Sequence, residues 1–198
     1  MTAHERNVGF LRPPTPEDLA RAAEREHLNL SLEECQELAP FAADFLRAFD
    51  DVEDLPDLQV PVRYPRTPGS RPTPEEDPVN AFVRVLDIQG VPDGPLAGRR
   101  IGVKDNIAVA GVPVTNGSRT LSYTPVQDAV VVERILDAGG VIAGKLNLDE
   151  FSASGFGDTS VFGPARNPVD PARSAGGSSS GSSAAVAAGL LDMALGVD

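Results

Sequence analysis

A lysine at the end of an apolar run is the first residue in this sequence that could do chemistry. Lys104 follows Ile101-Gly-Val103, a short apolar stretch with the pattern of a buried strand. Burial disfavours a charged ammonium group and can turn a lysine into a base. A lysine in this place can also be structural, with its ammonium group snorkelling to the surface or paired with Asp105. These residues alone leave both interpretations open.

A Gly/Ser-rich loop supplies hydroxyl groups farther along the chain. Residues 176–181 read Gly-Gly-Ser-Ser-Ser-Gly and lead directly into an alanine-rich stretch typical of a helix. Such a loop places backbone N–H groups and hydroxyls at the positive end of the helix. A flexible linker is the alternative by composition, but the loop is short and opens into a helix. A phosphate-binding loop is disfavoured, because the required Gly-Lys-Ser/Thr ending is missing.

Composition excludes several other kinds of site. Cys35 is the only cysteine and His4 and His27 are the only histidines. An internal disulfide and a zinc site built on several histidines are therefore excluded, and a Ser-His-Asp triad is disfavoured. The 29 acidic and 17 basic residues give a net charge of −12, which disfavours a phosphate backbone as partner. No apolar run approaches the roughly 20 residues of a membrane helix, and the N-terminus has no signal-peptide core. We expect a cytoplasmic protein that binds neither nucleic acid nor membranes.

The chain divides into three regions by pattern. Residues 1–49 form an N-terminal helical segment with two predicted helices, opened by Thr15–Asp18 and by the capping box Ser31–Glu34. Residues 50–79 are rich in proline and acid, which indicates an extended connector or linker. Residues 80–198 alternate between strand and helix patterns, which predicts a sheet covered by helices. The predicted strands cover 100–104, 141–145 and 193–196, and the predicted helices cover 128–138 and 183–189. Apolar residues at helical spacing predict a packing face on the second N-terminal helix: Leu38, Phe41, Ala42, Phe45, Leu46 and Phe49.

From about residue 80 to 198 the chain resembles the amidase signature family. Four motifs come in the order and spacing of that family: Gly102–Asn106, Gly144–Phe151, Asn167-Pro168 and Gly176–Gly189. The pieces Asn116–Thr120 and Leu191–Asp198 look most like bacterial amidases that act on small and nitrile-derived amides. The resemblance implies an α/β amidase signature fold. That fold has a mixed sheet core covered by helices on both faces, incomplete in this chain, with the N-terminal helical segment added.

The resemblance also implies catalytic roles. Lys104 matches the catalytic lysine of the family, and Ser178 matches its bridging serine, which in the family follows a cis peptide bond. Ser179 matches the neighbouring serine that supports the loop. Neutral Lys104 would accept a proton from Ser178, which takes one from the serine that attacks the amide carbonyl. The family needs no metal and no organic cofactor. Its acyl-forming serine lies in a Gly-Gly-Ser run expected shortly after Asp198, so we expect this chain alone to be inactive.

Four further residues have expected roles near this centre. Asp105 and Asn106 are expected to hydrogen-bond near Lys104 and orient it. Ser152 and Ser154 are expected to line the acyl pocket, as the loop at this place often does in the family.

Ser180 and the acidic pair Asp149 and Glu150 lead to two further expectations. Ser180 stands where the family usually has glycine, and a serine that had to adopt a positive φ would strain the loop, so we expect adjusted loop geometry. Asp149 and Glu150 are adjacent and cannot face each other on a helix or strand. We expect structural or capping roles for them and not an acid/base pair.

Three functions remain open from the sequence. The leading hypothesis is an amidase that converts small carboxylic amides to acid and ammonia through an acyl-enzyme. The alternatives are the amidase subunit of the glutamyl-tRNA(Gln) amidotransferase and a truncated fragment without catalysis. The expected partners are a small-molecule amide substrate and a second copy in a homodimer.

Overall fold

The chain forms two compact units, Met1–Leu58 and Gln59–Asp198. The computed structural model describes residues 12–53, 55–56 and 61–197. His4 and Asp198, which figure in the predictions above, lie outside the described residues.

The first unit contains the two predicted helices. Helix α1 spans Pro16–Arg25 and helix α2 spans Leu32–Glu53, so α2 extends into the segment predicted as connector. Thr15 Oγ1 accepts from the backbone N–H of Asp18, whose carboxylate accepts from the backbone N–H of Thr15. Ser31 and Glu34 form the same reciprocal arrangement at the start of α2. Both capping predictions are confirmed.

The predicted packing face of α2 is only partly covered. Ala42 and Leu46 are half-buried, and among the side chains of this helix that the structure describes the fully buried one is Cys35. The larger apolar residues of the stripe stay exposed: Leu38, Phe41, Phe45 and Phe49. Helical spacing therefore identified an apolar stripe. The more deeply buried positions of α2 in this unit lie beside that stripe around the helix axis.

The second unit is built on a four-stranded mixed sheet. Its strands are β1 (Phe82–Gln89), β2 (Arg100–Lys104), β3 (Val141–Leu146) and β4 (Met193–Leu195), in the order β1-β3-β2-β4. Strand β1 runs antiparallel to β3, whereas β2 is parallel to both β3 and β4. The three predicted strands are confirmed, and β1 is an element that the sequence analysis did not predict.

Helices cover both faces of this sheet. Helix α3 spans Val130–Asp137 and helix α4 spans Ser180–Ala187. Helix α4 begins three residues earlier than predicted. Successive residues of a strand point to opposite faces. One core cluster therefore joins α3 to one face (Leu86, Ile88, Ile101, Val103, Val132, Ile135, Leu136 and Ile142). The other joins α4 to the opposite face (Ala81, Phe82, Ala143, Leu146, Ala184, Ala185 and Leu191). This is the mixed α/β sheet with helices on both faces that the resemblance to the amidase signature family implies.

No helix within the described ranges combines the length and the apolar character needed to cross a membrane.

Helix α4 packs so closely on the sheet that its second residue must be glycine. A Cβ atom at Gly181 would overlap the carbonyl oxygen of Ala81 and the backbone nitrogen of Asn147, neither of which can rotate away. The backbone N–H of Gly181 also donates to the carbonyl of Asn147 at 2.9 Å. The start of α4 is thereby bonded to the chain just after β3.

We predict that Gly181→Ala lowers the free energy of unfolding by about 1–3 kcal/mol, because the added methyl group overpacks a backbone contact. Urea denaturation followed by circular dichroism measures this change. Gly155→Ala is the matched control, since a Cβ there meets no atom within 4 Å. Equal stability of the two variants would contradict the predicted overlap.

Candidate active site

Lys104 and Ser178 meet at the end of the central strands. Lys104 is the last residue of β2 and is fully buried, and Ser178 lies in the loop that precedes α4. The Lys104 Nζ atom donates to Ser178 Oγ at 2.6 Å and to the carbonyl oxygen of Val197 at 3.1 Å. The peptide bond between Gly177 and Ser178 is cis, as the resemblance implies. A buried amine beside a hydroxyl can exchange a proton with it.

Asp149 holds the Gly/Ser loop from inside the protein. Its carboxylate is buried and accepts from the backbone N–H groups of Gly157 at 2.9 Å and Thr159 at 3.0 Å, and from the Thr159 hydroxyl. Its own backbone N–H donates to the carbonyl of Ser178 at 3.0 Å. A side chain at Gly177 would overlap this carboxylate. Asp149 therefore has a structural role at the loop.

Ser179, Ser180 and Ser182 occupy three different environments. The Ser179 hydroxyl is within 3.2 Å of both the N–H and the carbonyl of Val197. Ser182 Oγ donates to the carbonyl of Leu195 at 3.0 Å. Ser180 is buried at the start of α4 with an ordinary negative φ. The expected adjustment of the loop at Ser180 is therefore not needed, because its position does not demand the conformation that favours glycine.

Asp105 organises the turn that follows Lys104. Its Oδ2 atom accepts from the backbone N–H of Thr115 at 2.9 Å, the Thr115 hydroxyl at 2.7 Å and the N–H of Asn116 at 3.1 Å. Its Oδ1 atom lies 3.5 Å from the Nζ atom of Lys145, and both side chains are fully buried. Asp105 thus contacts the neighbouring loop and a second lysine, and its expected role in orienting Lys104 stays a prediction.

Lys145 is the residue that sequence reasoning missed. It lies on β3, and its Nζ atom donates to the carbonyl oxygens of Asp105, at 3.2 Å, and Ile107. Burial lowers its pKa from the ordinary 10.5 to about 8, against the opposing effect of the Asp105 carboxylate. A signal was present in the sequence: Lys104 and Lys145 are the only two lysines among the 17 basic residues, and each ends an apolar run.

The remaining predicted site residues are only partly brought together. Asn106 Nδ2 donates to Ser152 Oγ at 3.3 Å, which connects the turn after Lys104 to the loop after β3. Ser152 has a positive φ of 58°. Ser154 Oγ accepts from the N–H of Phe156 within its own loop.

The neighbouring acids Asp149 and Glu150 differ in their surroundings. The Asp149 carboxylate is buried and bonded to Gly157 and Thr159, whereas Glu150 is half-buried beyond the end of β3. This agrees with the expectation that the two are not an acid/base pair. Among the described residues, no group of three or more His, Cys, Asp or Glu side chains could hold a metal ion.

We predict that Lys145 makes the free energy of unfolding rise with pH between about 8 and 10.5. Its pKa is lower in the folded protein than in the unfolded chain, so the unfolded chain binds more protons in this window. The cost of burying its charge is fully present below pH 8 and disappears above 10.5. Relative to Lys145→Met, the wild type should gain about 3 kcal/mol across the window, measured by urea denaturation at successive pH values. Parallel pH profiles for the two proteins would contradict a depressed pKa.

We predict that Asp149→Ala lowers the free energy of unfolding by about 3 kcal/mol, because one buried donor and two partly buried donors lose a charged acceptor. Glu150→Ala, the adjacent acid whose carboxylate makes none of these bonds, should change it by less than about 0.5 kcal/mol. Amide hydrogen exchange at Gly157 and Thr159 reports the local effect. Unchanged protection in Asp149→Ala would argue against the role of this carboxylate.

Known proteins share this arrangement of elements. The family model for Amidase matches residues 84–198. An enantioselective amidase of Rhodococcus rhodochrous is 38% identical over 194 residues, which cover 96% of this chain and 37% of that protein. A glutamyl-tRNA(Gln) amidotransferase subunit of Halobacterium salinarum is 54% identical over 121 residues, covering 61% of this chain and 29% of that protein. The crystal structure of the corresponding subunit from Thermotoga maritima superposes with a TM-score of 0.56 at 41% identity, covering 62% of this chain and 27% of that one.

The chain thus spans between 27% and 37% of the length of these relatives. The family match covers more than half of its residues, including the Lys104 strand and the whole Gly/Ser loop. A structure that is 41% identical has the same fold. The chain therefore belongs to the amidase (amidase signature) family.

Proposed function

We propose that the chain contributes the lysine and the bridging serine of an amidase that hydrolyses small carboxylic amides to acid and ammonia. The observation that carries the proposal is the 2.6 Å contact between Lys104 Nζ and Ser178 Oγ. A buried amine in this place can take the proton of Ser178, provided that a second hydroxyl replaces that proton.

The proposed reaction runs through an acyl-enzyme. A nucleophilic serine attacks the amide carbonyl and gives its proton to Ser178, whose own proton passes to Lys104. The proton then returns along the same relay to the leaving nitrogen, and ammonia departs. Water cleaves the acyl-enzyme to release the carboxylic acid.

The nucleophilic serine is proposed to come from outside these 198 residues. The sequence contains a single Gly-Gly-Ser run, and its serine is Ser178, which already contacts the lysine. In this proposal the 198-residue chain binds no acyl group and releases no ammonia alone.

A relative favours an amidase over an amidotransferase role. The Rhodococcus enantioselective amidase matches 96% of this chain, which includes the helical first unit, whereas the Halobacterium amidotransferase protein matches 61%. The Halobacterium protein has the higher identity, 54% against 38%, so the amidotransferase role is retained as the second candidate. Ammonia release from propionamide without tRNA or partner subunits, by a protein that contains these residues together with the nucleophilic serine, supports the first. Activity that requires a charged tRNA and further subunits supports the second. The homodimer remains a prediction.

We predict that Ser178→Ala strongly slows amide hydrolysis in a chimaera that carries residues 1–198 in place of the matching part of the Rhodococcus amidase. Loss of the proton relay should lower kcat by roughly 10²–10⁴-fold, and Lys104→Ala should do the same. The assay measures ammonia released from propionamide.

Ser183→Ala is the matched control for Ser178→Ala, since the Ser183 side chain is exposed and bonds to backbone carbonyls at the start of α4. It should retain activity. A folded chimaera without activity, or an active Ser178→Ala variant, would contradict the proposal.

A further inference from the structure

The two lysines of the chain lie on neighbouring strands but point to opposite faces of the sheet. In the parallel pairing of β2 with β3, Lys104 is opposite Leu146 and Val103 is opposite Lys145. Paired residues share a face, and successive residues alternate. Lys104 therefore projects with Leu146 to the face that α4 covers, where Ser178 lies. Lys145 projects with Val103 to the face that α3 covers.

From that opposite face, Lys145 is bonded to the turn that follows Lys104. Its two acceptors are the carbonyl oxygens of Asp105 and Ile107, the first and third residues after Lys104. The turn is closed by a hydrogen bond of 2.9 Å from the N–H of Ile107 to the carbonyl of Lys104. The N–H of Asp105 donates to the carbonyl of Leu146 at 3.0 Å. Together these bonds fix the backbone that directly follows the Lys104 Cα atom.

The Asp105 carboxylate holds Lys145 in place in turn. Its Oδ2 atom already accepts three hydrogen bonds from Thr115 and Asn116, so this side chain cannot follow Lys145 if the lysine moves. Its Oδ1 atom has no hydrogen bond among the described residues, and the Lys145 ammonium is 3.5 Å away. An uncompensated buried carboxylate oxygen is costly, which favours the lysine at this position.

We propose that Lys145 is a positioning residue that holds the turn after β2 and thereby sets the Lys104 amine against Ser178. The proposal rests on the proposed function for its catalytic meaning, but the contact it explains is a property of the folded chain. Lys145 touches no reacting group itself. It acts through the backbone of residues 105–107.

The sequence makes this proposal directly testable. Since the chain has only two lysines, labelling with [¹³C,¹⁵N]lysine gives two sets of side-chain NMR signals, which Lys145→Met assigns. The readout is the nuclear Overhauser effect between Lys104 Hε and Ser178 Hβ, measured at pH 7 well below the unfolding temperature of each variant. We expect this effect in the wild type and its loss in Lys145→Met.

Two variants separate positioning from general destabilisation. Lys145→Arg keeps donors that can reach the two carbonyls and should restore the effect. Arg84→Met removes a positive charge from β1 at the register partner of Lys145, and its guanidinium binds the carbonyls of Pro68 and Gly69 instead. It should keep the effect. A folded Lys145→Met that retains the Lys104–Ser178 effect would overturn the proposal, as would a folded Lys145→Arg that loses it.

A titration of the wild type tests the same idea if Lys145→Met does not fold. Deprotonation of Lys145 removes its attraction to Asp105 and weakens its donor groups. The nuclear Overhauser effect between Lys104 and Ser178 should therefore weaken as pH rises, with the same midpoint as the titration of the Lys145 signals. The charged residues on the elements packed around Lys145 are Arg84 and Asp87 on β1, Arg100 and Lys104 on β2, and Glu133, Arg134 and Asp137 on α3, with Asp105 directly after β2. An effect that stays constant through the Lys145 midpoint would overturn the proposal.

Kinetics distinguish this inference from the proposed function. In the active chimaera, Lys145→Met should lower kcat by roughly tenfold or more, because a contact that positions Lys104 is lost, with little change in KM. An inactive wild-type chimaera whose NMR effects behave as expected would refute the amidase proposal and leave the positioning role standing. Unchanged kcat in Lys145→Met would refute the positioning role and leave the amidase proposal intact.

Discussion

The need to satisfy a buried amine at the end of β2 shapes most of the second unit. A lysine without exposure must find acceptors inside the protein, since water no longer solvates it. Lys104 finds them in the Ser178 hydroxyl and the carbonyl of Val197, which belong to segments on either side of α4. One side chain therefore brings together three parts of the chain that are distant in sequence. Ser179 and Ser182 add further bonds between the start of α4 and residues 195–197.

Two buried carboxylates provide the rigid surroundings of that contact. Asp105 follows β2 and collects donors from residues 115–116, while Asp149 follows β3 and collects donors from residues 157–159. Each carboxylate holds an irregular loop against the sheet by giving its N–H groups a charged acceptor. The parallel strands β2 and β3 end side by side, so the two loops are placed next to each other. The site is thus organised from the interior, by acids that do not take part in the proposed relay.

Local patterns in the sequence predicted the elements better than their partners. The caps at Thr15 and Ser31 and the strand ending at Lys104 depend on short-range chemistry, and the structure has them where the pattern indicated. Strand β1 was missed although Leu86 and Ile88 alternate with Asp87 and Gln89, so its local pattern was available in the sequence. The exposed phenylalanines of α2 show what spacing alone does not predict: it identifies an apolar stripe but not what covers it. For the site, residue types predicted the meeting of Lys104 with Ser178 through the family motifs. Lys145 lies within the motif Gly144–Phe151, but its contacts could not be predicted. They are made to two carbonyls of a turn that only the register of β2 and β3 brings within reach.

The burial of both lysines has a consequence for the surface of the molecule. All of its positive side chains that face solvent are arginines, because the two lysines of the sequence are fully buried. Enzymes and reagents that modify lysine, by acetylation, glycation or attachment of another polypeptide, meet no ε-amino group on the folded chain. Such modification would mark only molecules that have opened, so that lysine chemistry on this chain records its unfolding.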